Sequence, residues 1–232
     1  MKNRLTCIIP FYNEGVRLLD LLHLITKINL IDQLICIDDG SDSGMLAEEI
    51  QKKFPKVKLY ILDNNSGKSA AVKYGLSIST GEFILLLDAD ITGIKEMELV
   101  NAIEVFKKKS LDMIILKRLN ASFLVRFIRA DVLLSGERLV KKSDLELVFE
   151  ENVIGYQLEM AINKHMKMNN KKVIWMSNTA KNHYKYLKNS FFKGLWKDIK
   201  MYLNILSYIG LNNFLNHVFT FCKSNEKNYF SK

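Results

Sequence analysis

A run of five apolar residues from Phe83 to Leu87 leads directly into Asp88, Ala89 and Asp90, and it constrains the fold more than any other stretch. A continuous apolar run of this length is typical of a strand buried on both faces, as in a parallel sheet. Carboxylates spaced i, i+2 point to one face of an extended chain. Because open α/β sheets bind ligands at the carboxyl ends of their strands, and because carboxylate oxygens suit a divalent cation that also holds phosphates, the run predicts a site for a metal-bound phosphorylated ligand.

Strands and helices alternate through the first half of the chain. The apolar periodicity predicts strands at 5–9, 34–37, 57–62, 83–87 and 113–116, and helices at 16–28, 42–54, 66–79 and 95–109. This alternation is typical of an α/β fold with a Rossmann-like, mostly parallel sheet and helices on both faces. Right-handed crossovers then bring the carboxyl ends of the strands to one edge. Beyond residue 118 the pattern is less regular, with helices predicted at 123–134 and 156–168 and a strand at 172–176.

Composition narrows the class of protein. A chain of 232 residues with 48% apolar content fits one large domain, or one domain with an appendage. The formal charge of +9 favours a phosphate-rich ligand, nucleic acid or an anionic membrane surface, although it also serves solubility. Three cysteines without paired spacing argue against a disulfide framework or a zinc site. Because a strand is predicted from Leu5 onwards, we expect no signal peptide and a cytoplasmic protein.

Short polar motifs follow the first three predicted strands. They are Pro10-Phe11-Tyr12-Asn13-Glu14, Asp38-Asp39-Gly40-Ser41 and Asn65-Ser66-Gly67-Lys68-Ser69-Ala70. Acids at a strand end can accept hydrogen bonds from a base or a ribose hydroxyl, and a helix amino terminus with a lysine favours anions. A P-loop is excluded, because Leu62 stands where that motif needs a glycine. Each motif alone also has an ordinary interpretation as a turn, a helix cap or a solvated charge.

The order of these motifs resembles glycosyltransferase family 2, a group of nucleotide-sugar transferases with the GT-A fold. The matching residues are Ile8 to Glu14, Ile37 to Ser41, Gly67 to Val72 with Gly75, and Asp88 to Asp90. The resemblance is strong over residues 4–118 and weaker beyond. It implies a GT-A catalytic domain over residues 1–180, with a nucleotide-sugar half at 1–118 and an acceptor half at 119–180. Residues 181–232 would form a basic and aromatic helical tail of amphipathic helices.

The resemblance assigns the base and ribose contacts to the first two motifs. Pro10, Tyr12 and Glu14 are similar to the wall and the polar contacts of the nucleotide-base pocket. Asp38 or Asp39 resembles the acid that holds the base or the ribose. The donor would be a UDP- or GDP-linked sugar.

The diphosphate and metal contacts fall on the later motifs. Lys68 resembles the residue beside the diphosphate, Asp88 the carboxylate near the ribose and the donor sugar, and Asp90 the direct metal ligand. The metal would be Mg²⁺ or Mn²⁺, bridging both phosphates. Asp88 is a second candidate ligand. His183 is a third, because a histidine from this region adds a ligand in some GT-A enzymes, although a lone histidine is more often structural.

The acceptor side is less well defined by the sequence. Ser135-Gly136-Glu137-Arg138 resembles a segment of the members that act on lipid phosphates, and Arg118, Arg129 or Arg138 could bind an acceptor phosphate bidentately. Each arginine could equally form a surface ion pair. Glu159 matches the acid that many members use as catalytic base, but here it replaces the usual acidic pair. A sugar hydroxyl needs such a base, whereas a phosphate monoester is already anionic at neutral pH.

The pattern of lysines and apolar residues in the carboxyl-terminal third indicates what the protein binds. Lysines interleave with apolar residues near helical spacing, namely Phe191, Phe192, Leu195, Trp196, Ile199, Tyr202 and Leu203. A lysine-flanked helix with Trp and Phe on its apolar face suits an anionic bilayer, which implies a peripheral protein at the inner face of the cell membrane and a lipid-linked acceptor. The alternative is a helix that packs on the sheet. No nucleic-acid motif accompanies the basic residues, so nucleic acid is not an expected partner.

Three other functions share some of these sequence features. A transferase with a soluble glycan or a small phosphorylated acceptor would need no membrane contact. A response-regulator receiver domain also has paired acids after a strand, but it begins with that strand, whereas here a complete strand and its turn come first. An inactive GT-A relative would serve as a binding module, although Lys68, Asp88 and Asp90 are retained. A homodimer is an open alternative to a monomer.

Overall fold

A seven-stranded sheet forms the centre of the computed structural model, which describes residues 4–42, 44–119, 125–126, 129–182 and 203–224. The strands are β1 (Leu5–Phe11), β2 (Gln33–Asp38), β3 (Val57–Ile61), β4 (Phe83–Leu86), β5 (Ile91–Thr92), β6 (Met113–Arg118), β7 (Arg138–Lys141), β8 (Val173–Asn178) and β9 (Lys181–Asn182). The helices are α1 (Val16–Ile25), α2 (Met45–Lys53), α3 (Lys68–Ser77), α4 (Glu96–Lys108), α5 (Ala130–Leu133), α6 (Lys142–Val148), α7 (Leu158–Met168) and α8 (Leu211–Thr220). A 3₁₀ turn (Gly155–Gln157) precedes α7, and residues 203–209 are helical.

The sheet is mostly parallel, as predicted. Its strand order is β3-β2-β1-β4-β7-β6-β8, and only β7 runs antiparallel to its neighbours. In the central register Ile8 of β1 lies opposite Leu86 of β4. The short strands β5 and β9 form a separate antiparallel pair. The sequence analysis missed β7, because only four residues form it and they follow a segment that we interpreted as a substrate contact.

Helices cover both faces of the sheet, which confirms the α/β prediction. Successive residues of β1 alternate between the two faces, so Cys7 and Ile9 belong to one apolar cluster while Ile8 belongs to the other. The first cluster is completed by α1, α2 and α4, and the second by α3, α5, α6 and α7. All seven residues of β1 are buried, as expected for a strand between two helical layers.

Part of the predicted tail packs on the second face of the sheet. Within residues 203–224 the buried apolar side chains are Ile205, Ile209, Phe221 and Cys222. The backbone N–H of Trp175 in the edge strand β8 donates to the carbonyl of Ser224 at 3.2 Å, so the chain covers part of that edge. The predicted aromatic and lysine segment at 191–202 lies outside the described residues. Over the described part of the chain, no helix combines the length and apolarity needed to cross a bilayer.

Candidate active site

A pocket of about 590 Å³ opens at the carboxyl edge of the parallel strands. Its size is within the range of small-molecule and cofactor sites. Nine residues singled out by the sequence analysis line it: Pro10, Tyr12, Glu14, Asp39, Lys68, Asp88, Asp90, Arg118 and Glu159. Residues that are separated along the chain therefore meet in one cavity, where the loops that follow β1 to β4 and the end of β6 are joined by Glu159 from α7.

Lys68 connects the two sides of the pocket. It is the first residue of α3, and its Nζ lies 2.5 Å from Asp88 Oδ1 and 2.7 Å from Glu159 Oε1. Burial alone would lower the pKa of Lys68, but the two carboxylates outweigh burial and raise it. Burial likewise opposes ionisation of Asp88, yet the Lys68 ammonium lowers the pKa of that carboxyl. Both groups are therefore charged at neutral pH, and Lys68 presents a fixed positive charge inside the pocket.

Arg118, at the end of β6, supplies a second cation. Its Nη2 lies 2.6 Å from Glu137 Oε1 and 3.9 Å from Asp88 Oδ2. Burial opposes the charge of Arg118, but Glu137 outweighs burial and raises the pKa of the guanidinium. Burial raises the pKa of the fully buried Glu137 even though Arg118 counteracts it. Glu137 thus positions Arg118 at the pocket, a role that sequence reasoning missed although it had noted the segment.

Gly136 lets the cation and carboxylate network form. A Cβ added at this residue would overlap the carboxylate of Asp88 and the ammonium of Lys68. Because glycine has no Cβ, the loop before β7 approaches Asp88 and Lys68 more closely than it could with any other residue at position 136. The glycine beside Ser135 in the sequence was the available signal, but only the fold reveals which groups it faces.

The acidic pair after β2 shapes the loop that leads to α3. Asp39 accepts hydrogen bonds from the backbone N–H groups of Ser66 at 2.9 Å and Gly67 at 2.7 Å. Gly67, with φ of +87°, is the residue that precedes the helix. The helix predicted over residues 66–79 therefore begins two residues later, at Lys68, because Gly67 takes the capping position. Asp39 fixes the place where α3 presents that lysine.

Asp38 has a different environment from its neighbour. Its Oδ1 accepts hydrogen bonds from the hydroxyl of Ser41 at 2.6 Å and from the backbone N–H of Ser41 at 2.9 Å. The side chain is buried in this turn and is not among the residues that line the pocket. Of the two acids predicted to hold the base or the ribose, Asp39 has the pocket position.

The three residues predicted to contact the base all line the pocket. Pro10 is in β1, and Tyr12 follows that strand with 40% of its surface exposed. Glu14 lies further along the same turn, where one of its carboxylate oxygens is 2.8 Å from Arg17 Nη2. A half-exposed aromatic ring beside an apolar wall is a suitable surface for a planar base.

Arg138 differs from Arg118 in its exposure and its partners. It is completely buried, and its guanidinium donates to Asn163 Oδ1 at 2.6 Å, to the Ser135 carbonyl at 2.7 Å and to the Leu133 carbonyl at 2.9 Å. Burial lowers the pKa of Arg138 to about 10. The predicted contact between Arg138 and a substrate phosphate does not agree with this environment, because protein groups already use the donors. Arg138 instead ties β7 to α5 and α7.

The candidate metal ligands are only partly described. Asp90 lines the pocket, Asp88 is engaged by Lys68, and His183 lies outside the described residues. Among the residues that the structure describes, no group of three or more His, Cys, Asp or Glu side chains could hold a metal ion. Mg²⁺ in nucleotide sites is commonly held by one or two carboxylates together with substrate phosphates. A single pocket carboxylate such as Asp90 fits that kind of donor set.

The sequence of the chain is similar to those of known proteins. Residues 6–175 match the family model described as Glycosyl transferase family 2. Glycosyltransferase GlyG of Streptococcus pneumoniae is 25% identical over 118 residues, which are 50% of this chain and 39% of that protein. Dolichyl-phosphate beta-glucosyltransferase of Dictyostelium discoideum is 34% identical over 113 residues, which are 43% of this chain and 34% of that protein. The chain therefore matches well under half the length of these relatives.

A solved structure also resembles the chain. Glucosyl-3-phosphoglycerate synthase of Mycobacterium tuberculosis, in complex with Mn²⁺, UDP and phosphoglyceric acid, superposes with a TM-score of 0.69. The likeness covers 88% of this chain and 78% of that one at 14% sequence identity. At this identity the likeness shows the fold alone, and it confirms the GT-A architecture.

Proposed function

The chain belongs to glycosyl transferase family 2, and we propose that it moves a sugar from a UDP- or GDP-linked donor to a phosphate-bearing acceptor at a membrane. The observation that carries the proposal is the position of Lys68, which contacts Asp88 on the donor side and Glu159 on the acceptor side of one pocket. A donor and an acceptor that meet there would share one fixed cation.

The donor would lie along the carboxyl edge of the sheet. Its base would stack near Pro10 and Tyr12, and its diphosphate would lie beside Lys68. Negative charge develops on the nucleoside diphosphate as it leaves, and preorganised cations in a site of low polarity stabilise such charge. Lys68 is the cation beside that diphosphate, and Arg118, the second cation that lines the described part of the pocket, would face the acceptor phosphate. Asp90 would hold Mg²⁺ or Mn²⁺, which supplies further neutralisation of the diphosphate when bound.

The acceptor would approach from the side of Glu159. Oε1 of Glu159 already accepts a hydrogen bond from Lys68 at 2.7 Å, so this oxygen is held in place by an ion pair. A phosphate monoester needs no base, because it is anionic at neutral pH. Its oxygen would form a bond to the anomeric carbon while the bond to the diphosphate oxygen breaks, with inversion at that carbon. Glu159 would position Lys68 and the acceptor, and would act as base only on a hydroxyl acceptor.

A lipid phosphate at the inner face of the cell membrane is the acceptor that we favour. The relative from Dictyostelium is named for a dolichyl phosphate acceptor, and the chain carries a formal charge of +9. A polyprenyl phosphate or a phosphorylated glycolipid combines the anionic group that Arg118 would bind with attraction to a basic protein. The alternative is a soluble phosphorylated acceptor, and an experiment must separate the two. A homodimer stays a prediction.

The first test is thermal stabilisation by UDP-, GDP- and dTDP-sugars, each with and without Mn²⁺. A donor at 100 times its Kd stabilises the native state by about 2.7 kcal/mol, which corresponds to a rise in Tm of roughly 5–11 °C for a chain of this size. We expect one nucleotide to give a metal-dependent rise that Asp90→Asn abolishes and that the exposed control Asp20→Asn leaves unchanged. No rise with any donor would contradict the proposal.

The second test identifies the acceptor. Radiolabelled sugar transfer is compared between geranyl phosphate in detergent and 3-phosphoglycerate, with the donor identified above. Product from geranyl phosphate alone supports the lipid acceptor. Product from 3-phosphoglycerate alone supports the soluble alternative while keeping the donor assignment.

A further inference from the structure

The apolar face of α8 is only partly covered by the part of the chain that the structure describes. Phe214 and Val218 pack against the second apolar cluster. Leu211, Leu215 and Phe219 instead have 59%, 42% and 64% of their surfaces exposed. These three residues are spaced i, i+4 and i+8, so they lie along one side of the helix, and together they are called the outer stripe here.

The outer stripe is a fixed feature of the fold rather than a frayed end. Arg129 donates to the carbonyls of Val218, Phe221 and Cys222 at 3.1, 2.6 and 2.7 Å, which holds the carboxyl end of α8. Lys167 Nζ donates to the hydroxyl of Thr220 at 2.7 Å. At the other end Gly210, with φ of +77°, makes the turn from the preceding helical segment. The held carboxyl end, together with the buried Ile209 just before the turn, gives the stripe one orientation.

Charge identifies the kind of surface that the stripe fits. The ten residues of α8 include no Asp, Glu, Lys or Arg. The surrounding sequence is strongly basic, because residues 181–232 contain nine lysines and two acidic residues. This stretch therefore carries a formal charge of +7 out of the +9 of the whole chain. An apolar stripe on an uncharged helix, set in a basic segment, combines hydrophobic insertion with attraction to anionic lipid.

We propose that the outer stripe docks the protein on an anionic lipid bilayer, with Leu211, Leu215 and Phe219 entering the boundary between head groups and acyl chains. This goes beyond the proposed function by naming the surface that contacts the membrane. The inference rests on the proposed function in one respect, because docking would serve to bring the pocket to a lipid acceptor.

A short stretch of chain connects the outer stripe to the pocket wall. Ile205 lines the pocket together with Glu159 and belongs to the helical segment 203–209. Only Gly210 separates this segment from α8. Four helical steps and the turn at Gly210 separate Ile205 from Leu211, so the stripe begins within about 14 Å, along the chain, of a residue in the pocket wall. A bilayer held by the stripe would lie near the acceptor side of the pocket.

The test is flotation of the full chain with vesicles. Vesicles of phosphatidylcholine and phosphatidylglycerol at 3:1 are compared with vesicles of phosphatidylcholine alone. We expect at least tenfold stronger binding to the anionic vesicles, and a loss of at least tenfold in the double variant Leu215→Asn/Phe219→Asn. Both positions are exposed and α8 already contains three asparagines, so folding should be retained. Met97→Asn, which changes an 81% exposed apolar residue on α4, is the matched control and should bind normally.

The outcomes that would overturn the proposal are distinct. Equal vesicle binding by the wild type and the double variant would show that the stripe does not contact lipid. A dimer of the wild type in sedimentation velocity, lost in the double variant, together with no vesicle binding, would assign the stripe to a second copy of the chain. The thermal shift with nucleotide sugar is measured on the same variants. A retained shift without vesicle binding refutes the docking surface alone, whereas vesicle binding without a shift refutes the proposed function alone.

Discussion

The proposed donor side and the proposed acceptor side of the pocket are built in different ways. On the donor side, Tyr12 and Asp39 directly follow strands, and Lys68 begins the helix that follows β3 after a loop of six residues. On the acceptor side, Glu159 comes from a helix and Ile205 from the carboxyl-terminal segment, and the loop before β7 brings Gly136 against Asp88 and Lys68. Strand-end turns make the donor side local in sequence, whereas contacts between distant segments make the acceptor side. Lys68 is the point where the two sides touch.

Arg138→Met is expected to have the largest effect and would show how far the acceptor side depends on a buried scaffold. The change leaves the carbonyl of Ser135 and the amide oxygen of Asn163 without their donor, and the carbonyl of Leu133 with Asn163 Nδ2 alone. Unsatisfied buried acceptors cost about 1–3 kcal/mol each, so we expect a loss of about 3–5 kcal/mol in the free energy of unfolding. Urea denaturation measures it. An unchanged midpoint would contradict the assignment of Arg138 as structural.

Lys68→Met tests whether one cation serves both sides. Removing it leaves Asp88 and Glu159 without their shared partner, and we expect kcat/KM to fall by about 10²–10³-fold, as for the loss of a single preorganised charge in other sites. Lys73→Met, an exposed lysine on the same helix, is the control and should retain activity. If Lys68→Met raised only the KM of the donor, the lysine would belong to the donor side alone.

Gly136→Ala sharpens the same comparison by moving the acceptor-side loop without changing a charge. The added methyl group would overlap Asp88 and Lys68, so we expect the ion pair to be displaced by about 1 Å and kcat/KM to fall by up to about 100-fold. Gly44→Ala, at a glycine with open space around it, provides the control. Full activity of Gly136→Ala would show that the close approach is not needed.

The smallest expected effect is the pH dependence of stability from Asp88. The pKa of this carboxyl is lowered below its ordinary value of 3.8, in spite of burial, by Lys68. The native state therefore binds the proton less tightly than the unfolded chain, and the resulting stability is present above the ordinary pKa and lost as the pH falls through the native value. Thermal melts between pH 6 and pH 3 should show a smaller acid loss in Asp88→Asn than in the wild type. Identical pH profiles would contradict the ion pair.

The sequence could predict the sheet and most of the donor side because those signals are local. The run from Phe83 to Leu87 and the acids after it gave β4 and its pocket carboxylates, and the family match confirms the resemblance drawn from these motifs. The exact start of α3 was missed, because the N–H of Ser66 donates a hydrogen bond to Asp39, which is distant in the sequence. The strand β7 was missed because it is short and begins with a buried arginine.

The acceptor side could not be predicted to the same extent because burial decides its roles. Arg118 and Arg138 look equivalent in the sequence, yet one lines the pocket and the other is enclosed between β7, α5 and α7. Ile205 has no sequence signal, since it reaches the pocket only after the carboxyl-terminal segment has docked on the domain. The spacing of apolar residues along the chain indicates where strands and helices form. Contacts between distant segments become visible only in the folded structure.

Donor titration of the Lys68 variant tests the central claim, that one pocket at the carboxyl edge of the sheet binds a nucleotide sugar. Isothermal titration calorimetry with UDP-glucose and GDP-mannose, each with and without Mn²⁺, is carried out on the wild type, Lys68→Met and Lys73→Met. The account predicts that the wild type and Lys73→Met bind one of these donors in the presence of Mn²⁺, and that Lys68→Met binds it at least tenfold more weakly. Equal affinity in Lys68→Met and the wild type would contradict it.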